Sequence, residues 1–286
     1  MKNREEVMRR ITKIPDLPPS CVELLKKIRE EQSGIDDVVR IIELDPGLST
    51  NLLRLANSAS MGGSAKIESV RNAAVRLGKK NIMRMVLEVT ISPLIGKEIK
   101  GYGLSAKEYW LHSIAVSIGS RESAQLLGVR PAPAAETAAL LHDIGKVVLG
   151  TFLEQDAEQV IHSAVSNNIP FEVAEEEIIG ISHPEAGAIL LEEWNLPESL
   201  VSAARWHHDP DQADENNTVD MIHIADFLSI SAGLGLGRDG LSYHISNRAF
   251  DKFGLTDSKS EQIISEIITG LDRIDSKLKD AGGGGE

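Results

Sequence analysis

The chain of 286 residues contains a single cysteine, Cys21, so no intrachain disulfide can form and a disulfide-stapled scaffold is excluded. Aromatic residues make up 4%, too few for the stacking platforms that hold single-stranded nucleic acid. No apolar run approaches the ~18 residues that span a bilayer, and the opening residues lack the charged-then-apolar pattern of a secretory signal. The expectation is a cytoplasmic protein with no membrane partner. Positive charge is also short: 30 Lys and Arg stand against 43 Asp and Glu, a formal net charge of −13. Affinity built on neutralising a phosphate backbone is disfavoured, and no DNA partner is expected. Period-2 alternation bounded by turn signals is missing, which leaves a sheet little support.

What is present is helical spacing almost everywhere, as in Val22, Leu24, Leu25 and Ile28, or Val38, Val39, Ile41, Ile42 and Leu44. The fold class expected is all-α, a two-lobed helical bundle. Gly96, Gly101 and Gly103 fall in one stretch between two long periodic segments and mark the division. The front helical lobe is expected over 1–95 and the rear helical lobe over 105–256. An amphipathic helix over 257–281 follows, its stripe of Ile263, Ile264, Ile267, Ile268, Leu271, Ile274 and Leu278 either covering the rear lobe or pairing with another chain. A disordered tail over 282–286 closes the chain. Gly233, Gly235 and Gly237 do not have the dinucleotide-binding spacing and read as a flexible loop. Arg71, Arg76, Lys79, Lys80 and Arg84 form a basic stretch that reads as a solvated helix face or as a seat for an acidic partner or nucleotide.

The rear half carries ionisable residues in an ordered series. Glu108 and His112 are four apart and share a helix face. His142 and Asp143 are adjacent after an alanine-rich helix, with Lys146 one turn on from His142. His183 precedes Pro184 at a helix start, His207-His208 closes the helix after Pro197, and Asp226 lies mid-helix, where an ionised carboxylate is costly to bury without a partner. Singly, each has a plain structural reading: His112 as a hydrogen-bonded core residue, Glu108 as a solvated one. His162, His223 and His244 read as structural, with His223 the reserve ligand three residues before Asp226. Imidazole mixed with carboxylate suits a borderline divalent metal such as iron, manganese or zinc, and the lack of nearby cysteine argues against a zinc finger.

The whole order, with His142-Asp143-Ile144-Gly145-Lys146 at its centre, resembles the metal-site layout of the HD phosphohydrolase superfamily, above all its HD-GYP branch, whose enzymes hydrolyse cyclic dinucleotides. The front half narrows the resemblance. Leu17-Pro18-Pro19, Asp45-Pro46-Gly47-Leu48, Leu52 to Ala59 with Asn57-Ser58, and Ser69 to Gly78 with Leu77-Gly78 look like the HDOD domain, a helical signalling module of bacterial regulators related to the HD hydrolases. The similarity covers about residues 11 to 230, and it implies an HD-type helical core in the rear lobe.

The resemblance implies metal-ligand roles for Glu108, His112, His142, Asp143, His183, His207, His208 and Asp226, with Asp143 and Lys146 as the catalytic candidates and Lys146 in contact with phosphate. One to three divalent ions are implied, iron or manganese first and zinc next. Such ions polarise phosphoryl oxygens and activate water near neutral pH. Many HDOD proteins have lost metal ligands, whereas this sequence keeps the full set; the Gly-Tyr-Pro segment of the HD-GYP branch is missing after His208. Two functions follow: a signalling module with a retained metal site acting through protein partners, or a metal-dependent phosphodiesterase or phosphohydrolase acting on a cyclic or simple nucleotide.

Overall fold

Helical spacing becomes helices nearly throughout the computed structural model, which describes residues 2–30, 32–57, 67–130, 132, 134–213, 217–235, 237–243 and 245–282. In chain order they are α1 (Lys2–Ile11), α2 (Pro19–Arg29), α3 (Ile35–Glu43), α4 (Pro46–Ala56), α5 (Val70–Ile95), α6 (Ala106–Leu126), α7 (Ala135–Leu141), α8 (Ile144–Asn167), α9 (Phe171–Ile179), α10 (His183–Glu193), α11 (Glu198–Trp206), α12 (Asn217–Ser231), α13 (Asn247–Phe253) and α14 (Asp257–Gly282). The strands among the described residues are β1 (Glu98–Ile99) and β2 (Leu104–Ser105), an antiparallel pair that puts Ile99 opposite Leu104 and encloses a 3-10 turn at Lys100–Tyr102. The protein is all-α, as its periodicity predicts. The expected tail falls on residues 283–286, outside the described residues apart from Gly282, which ends α14.

The chain divides into two compact units, a first of Leu17–Pro93 with Thr269–Glu286 and a second of Met1–Asp16 with Leu94–Ile268. The first helix is therefore not part of the front unit, as a lobe over 1–95 would have it. Val7 and Ile11 are fully buried on α8 and α10, and the Arg4 guanidinium grips Glu185 of α10 with both nitrogens, at 2.6 and 3.1 Å.

In the unit containing α2 to α5, Leu24, Val38, Ile42, Leu52, Ile82 and Val86 form one apolar core. The sequence signatures found there have structural work. The Asp45 carboxylate caps α4, accepting from the Gly47 and Leu48 amides at 2.9 and 3.0 Å, and receives the Ser20 hydroxyl at 2.5 Å. Asn57 bonds both backbone groups of Ile67, at 2.7 Å each. Its neighbours Ser58 and Ala59 lie outside the described residues. Gly78, at φ 72°, turns α5 through a left-handed kink that a side chain would strain. The basic stretch is used within the chain: Arg71 pairs with Asp36 at 2.9 Å, Lys79 donates to the Ser33 carbonyl, and Arg76 to that of Ala56.

The other unit is built by α6 lying along α12, α10 packing on α8 and α11, and α7 on α6. The α14 stripe starts here, with Ile263 and Ile267 buried and Ile267 against Gly119 of α6.

Losing the Asp45 cap has a predictable cost. The carboxyl is held below its ordinary value, first by the Ser20 hydroxyl and then by the Leu48 amide, so its stabilisation is fully present above the unfolded value near 3.9 and is lost as pH falls through the folded one. Asp45→Ala is expected to lower unfolding stability by about 0.5–2 kcal/mol at pH 7. In urea titrations the gap to wild type is expected to narrow as pH falls through the lowered folded value of Asp45; a gap that does not change with falling pH would contradict the assignment.

Candidate metal centre

Seven of the eight expected ligands meet inside the second unit, and the backbone explains why. Most of them sit at helix ends, where the chain turns and a side chain can point along the bundle interior. His142 and Asp143 form the junction of α7 and α8, His183 opens α10, and His207-His208 follows α11. His112 and Asp226 come from the middle of the paired helices α6 and α12. The two motif glycines allow the assembly. A Cβ on Gly145 would lie 1.8 Å from the His183 carbonyl oxygen and 2.7 Å from the Gly187 amide, so only glycine lets the start of α8 touch the start of α10.

The two oxygens of Asp143 face opposite ways. Oδ1 lies 3.5 Å from His183 Nε2 and 3.5 Å from His207 Nε2; Oδ2 lies 3.4 Å from His142 Nε2 and 3.5 Å from His112 Nε2. Asp226 Oδ1 stands 3.0 Å from His112 Nε2 and 3.8 Å from His142 Nε2. His208 completes the first side, its Nε2 3.0 Å from His183 Nε2. Two ligand groups result: Asp143, His183, His207 and His208, and beside it His112, His142 and Asp226. Metal–ligand bonds of about 2.1 Å would set neighbouring donors roughly 3.0–3.4 Å apart, a range that the observed spacings of 3.0–3.8 Å overlap at their short end.

The outward nitrogens fix which atoms face inward. His112 Nδ1 meets the Leu234 carbonyl at 3.1 Å, His142 Nδ1 that of Ala139 at 2.7 Å, His207 Nδ1 that of Ala204 at 2.8 Å, and His183 Nδ1 the Glu175 carboxylate at 2.8 Å. A carbonyl only accepts, so the Nδ1 atoms of His112, His142 and His207 donate outward and each ring turns its Nε2 toward the cluster. The Nε2 atoms of His112, His142 and His207 and the Oδ1 atoms of Asp143 and Asp226 are buried without a hydrogen-bond partner. The 3.0 Å approach of His112 Nε2 to Asp226 Oδ1 is favourable only with a shared cation, a proton or a metal ion. The residues therefore fit a divalent metal site, and nitrogen and oxygen donors without sulfur make it a borderline-metal site.

The electrostatics carry the same mark. Burial pushes His207 down to about 4 and His208 well below its ordinary range. Burial also disfavours charge on His142 and His183, but Asp143 and Glu175 respectively override it and hold both above their usual value. Burial would raise Asp143 and Asp226; Lys146 and His142 keep the first well below its ordinary range, and His112 and His142 the second. Lys146 is itself buried, its Nζ 2.6 Å from Asp143 Oδ2 and 2.6 Å from Asp239 Oδ2.

Glu108 is not brought to the cluster. It is exposed at the third position of α6, where its carboxylate accepts from the Ser105 amide and hydroxyl at 2.8 and 2.6 Å in a capping box. It is a helix-start residue, which its plain reading already described. His223 is not a ligand either: its Nδ1 is 2.7 Å from the His207 carbonyl and its Nε2 accepts from the Ser246 amide at 3.0 Å, so both nitrogens are satisfied. His244 lies outside the described residues, and His162 lies exposed on α8.

Four residues around the centre are absent from the sequence-based set. Glu175 is fully buried and holds His183 by backbone and ring at 2.8 Å each, while its other oxygen accepts from Tyr102 at 2.5 Å. Its signal was there: it shares the inner face of α9 with Phe171, Ala174 and Ile179. Tyr102 sits in the Gly101-Tyr102-Gly103 stretch, which the glycines made read as a boundary. Asp239 and Tyr243 lie on the segment read as a flexible loop, and that segment instead seats against the site, with Leu234 on His112 and the Tyr243 ring 5.0 Å from that of His208.

Comparison with known proteins places this geometry. A Treponema pallidum (strain Nichols) protein of uncharacterised function is 27% identical over 207 residues, 72% of this chain and 40% of its own length, so the chain spans less than half of that relative. Among solved structures, an HDOD domain protein of unknown function from Geobacter sulfurreducens is 25% identical with a TM-score of 0.67, covering 98% of this chain and 95% of its own. A proposed signal transduction protein from Marinobacter aquaeolei VT8 superposes with a TM-score of 0.75 at 20% identity over 98% of this chain and 66% of that one. A proposed phosphohydrolase from Shewanella amazonensis SB2B does so with 0.60 at 23% over 91% and 97%. The HDOD domain family profile matches residues 14–210, which takes in the capped front helices and the ligand series as far as His208, and the chain belongs to the HDOD domain family.

Proposed function

We propose that the protein is a signalling HDOD module whose second unit would hold two divalent metal ions, with Asp143 offering one carboxylate oxygen to each ligand group, and that it acts through a protein partner. The observation that carries this reading is the set of buried, inward-facing donors with no partner, each imidazole locked by an outward hydrogen bond. His183, His207, His208 and Asp143 Oδ1 would hold one ion, and His112, His142, Asp226 and Asp143 Oδ2 the other. Iron or manganese suits the donors best, then zinc. Glu108 takes no part, so a third ion has no ligand of its own there. Bound divalent ions would polarise a phosphoryl oxygen and lower the pKa of water.

The rest is the work of the chain. Glu175 and Tyr102 aim His183, backbone carbonyls aim the other rings, and Lys146 balances the Asp143 charge. Every ligand side chain but His208 is at most 2% exposed, so the cluster is enclosed by the unit that carries it. No helix among the described residues is long and apolar enough to cross a membrane, and the lone, buried Cys21 suits a reducing compartment such as the cytoplasm. The second reading, a phosphohydrolase acting on a nucleotide, is favoured by Lys146, a buried cation beside Asp143, and by seven of the eight expected ligands coming together. Assay of metal-loaded protein against cyclic dinucleotides and simple phosphate esters separates the two, with no turnover expected.

Equilibrium dialysis against Mn²⁺ with elemental analysis is expected to give two ions per chain for wild type, one for His183→Ala and fewer than 0.2, roughly, for Asp143→Ala, because one carboxylate serves both groups. At a hundredfold excess over Kd each ion adds about 2.7 kcal/mol of stability. A chelator should lower the melting temperature of wild type and leave Asp143→Ala unchanged; equal melting in all four samples would mean that the site is vestigial.

Tyr102→Phe tests the support of His183. Removing the hydroxyl that fixes Glu175 is expected to weaken one of the two ions about 10- to 100-fold and spare the other. Isothermal titration resolves the two; equal weakening of both would assign Tyr102 to general packing.

A further inference from the structure

We propose that the described residues between Gly233 and Ser246 form an internal plug over the metal centre, latched by Asp239 on Lys146, and that an oxyanion of the phosphate class opens it by taking the place of Asp239. The proposal rests on the divalent-metal reading of the cluster for its purpose, but its geometry stands on the segment itself. Four points of this one segment reach the site. The Leu234 carbonyl accepts from His112 Nδ1 at 3.1 Å, Asp239 Oδ2 accepts from Lys146 Nζ at 2.6 Å, the Tyr243 ring stands edge-on to His208, and the Ser246 amide donates to His223 at 3.0 Å.

The fit at the entrance to the segment is close. Gly235 sits at φ 75°, and a Cβ there would fall 2.5 Å from that of His112. Its outer end is held weakly, with Arg238 lying over Gly103 and 3.7 Å from Glu158 on the surface of α8. Among the described residues the latch is a charged contact between the plug and the site. Lys146 carries two carboxylates: Asp143, which belongs to the ligand groups, and Asp239, which does not. Asp239 satisfies only one of its oxygens, and Oδ1 is buried without a hydrogen-bond partner. A phosphate oxygen on Lys146 would keep the charge pairing while returning that stranded carboxylate to water, which is what lets an incoming anion compete.

Accessibility of the histidines tests the plug without metal. Diethyl pyrocarbonate modification of the metal-free protein, mapped by mass spectrometry, is expected to be slow at His208 and His112 in wild type. It should be at least tenfold faster in Asp239→Asn and in Tyr243→Ala, with circular dichroism melts confirming the fold. Asp239→Glu should restore protection, which separates loss of the latch from loss of structure. Inorganic phosphate at millimolar concentration should speed wild-type modification and leave Asp239→Asn unaffected. In Mn²⁺-loaded protein the same two variants should release metal to excess EDTA at least tenfold faster, with equilibrium affinity within about threefold. Rapid modification of His208 in wild type, or full protection in both folded variants, would overturn the plug. Protection that follows the latch in a wild type that binds no Mn²⁺ would overturn the metal reading and leave the plug standing.

Discussion

Seven ionisable side chains sharing one dry interior are the condition on which the second unit rests. Each buried donor or acceptor left unpaired costs about 1–3 kcal/mol, and five such atoms face one another here. Against a total stability of order 5–15 kcal/mol, that arrangement is affordable only if something with positive charge occupies its middle. Lys146 supplies part of it from the side. Protonated imidazoles can add to it, and a divalent ion bound there would add more, which would link folding of this unit to metal binding.

The same condition explains how much could be read from sequence. The ligand series was legible because helix ends announce themselves: His183 before Pro184, His207-His208 after an apolar helix, His142-Asp143 before a glycine. Glu108 shows the limit of spacing arguments. Four residues before His112 it shares a helix face, but it also stands three residues after Ser105, and the capping interaction won because it satisfies orphan amides at the start of α6. Glu175, Tyr102, Asp239 and Tyr243 went unread for a different reason. Their partners are 8 to 93 residues away, and no local pattern records a contact of that separation. The division into units failed at α1 likewise, since the grip of Arg4 on Glu185 spans 181 residues.

In the front unit the signature residues do a different kind of work. Asp45, Asn57 and Gly78 cap, clamp and kink the backbone, and the basic stretch is spent on Asp36 and on carbonyls of its own unit. A motif of this sort specifies a shape, whereas the motif around His142 specifies a chemistry. Membership of one family thus rests on two unlike grounds in two parts of one chain.

Helix α8 gives the centre a mechanical reach. It begins at the residue after Asp143, and near its start Gly150 is pressed against Ile99 and Gly101, where a side chain would have no room. Taking that tight contact as a fulcrum, the arm toward the centre is about 9 Å long and the arm out to the exposed Val165 about 22 Å. A displacement of the Asp143 end about that contact would be carried along the same continuous helix toward the exposed Val165.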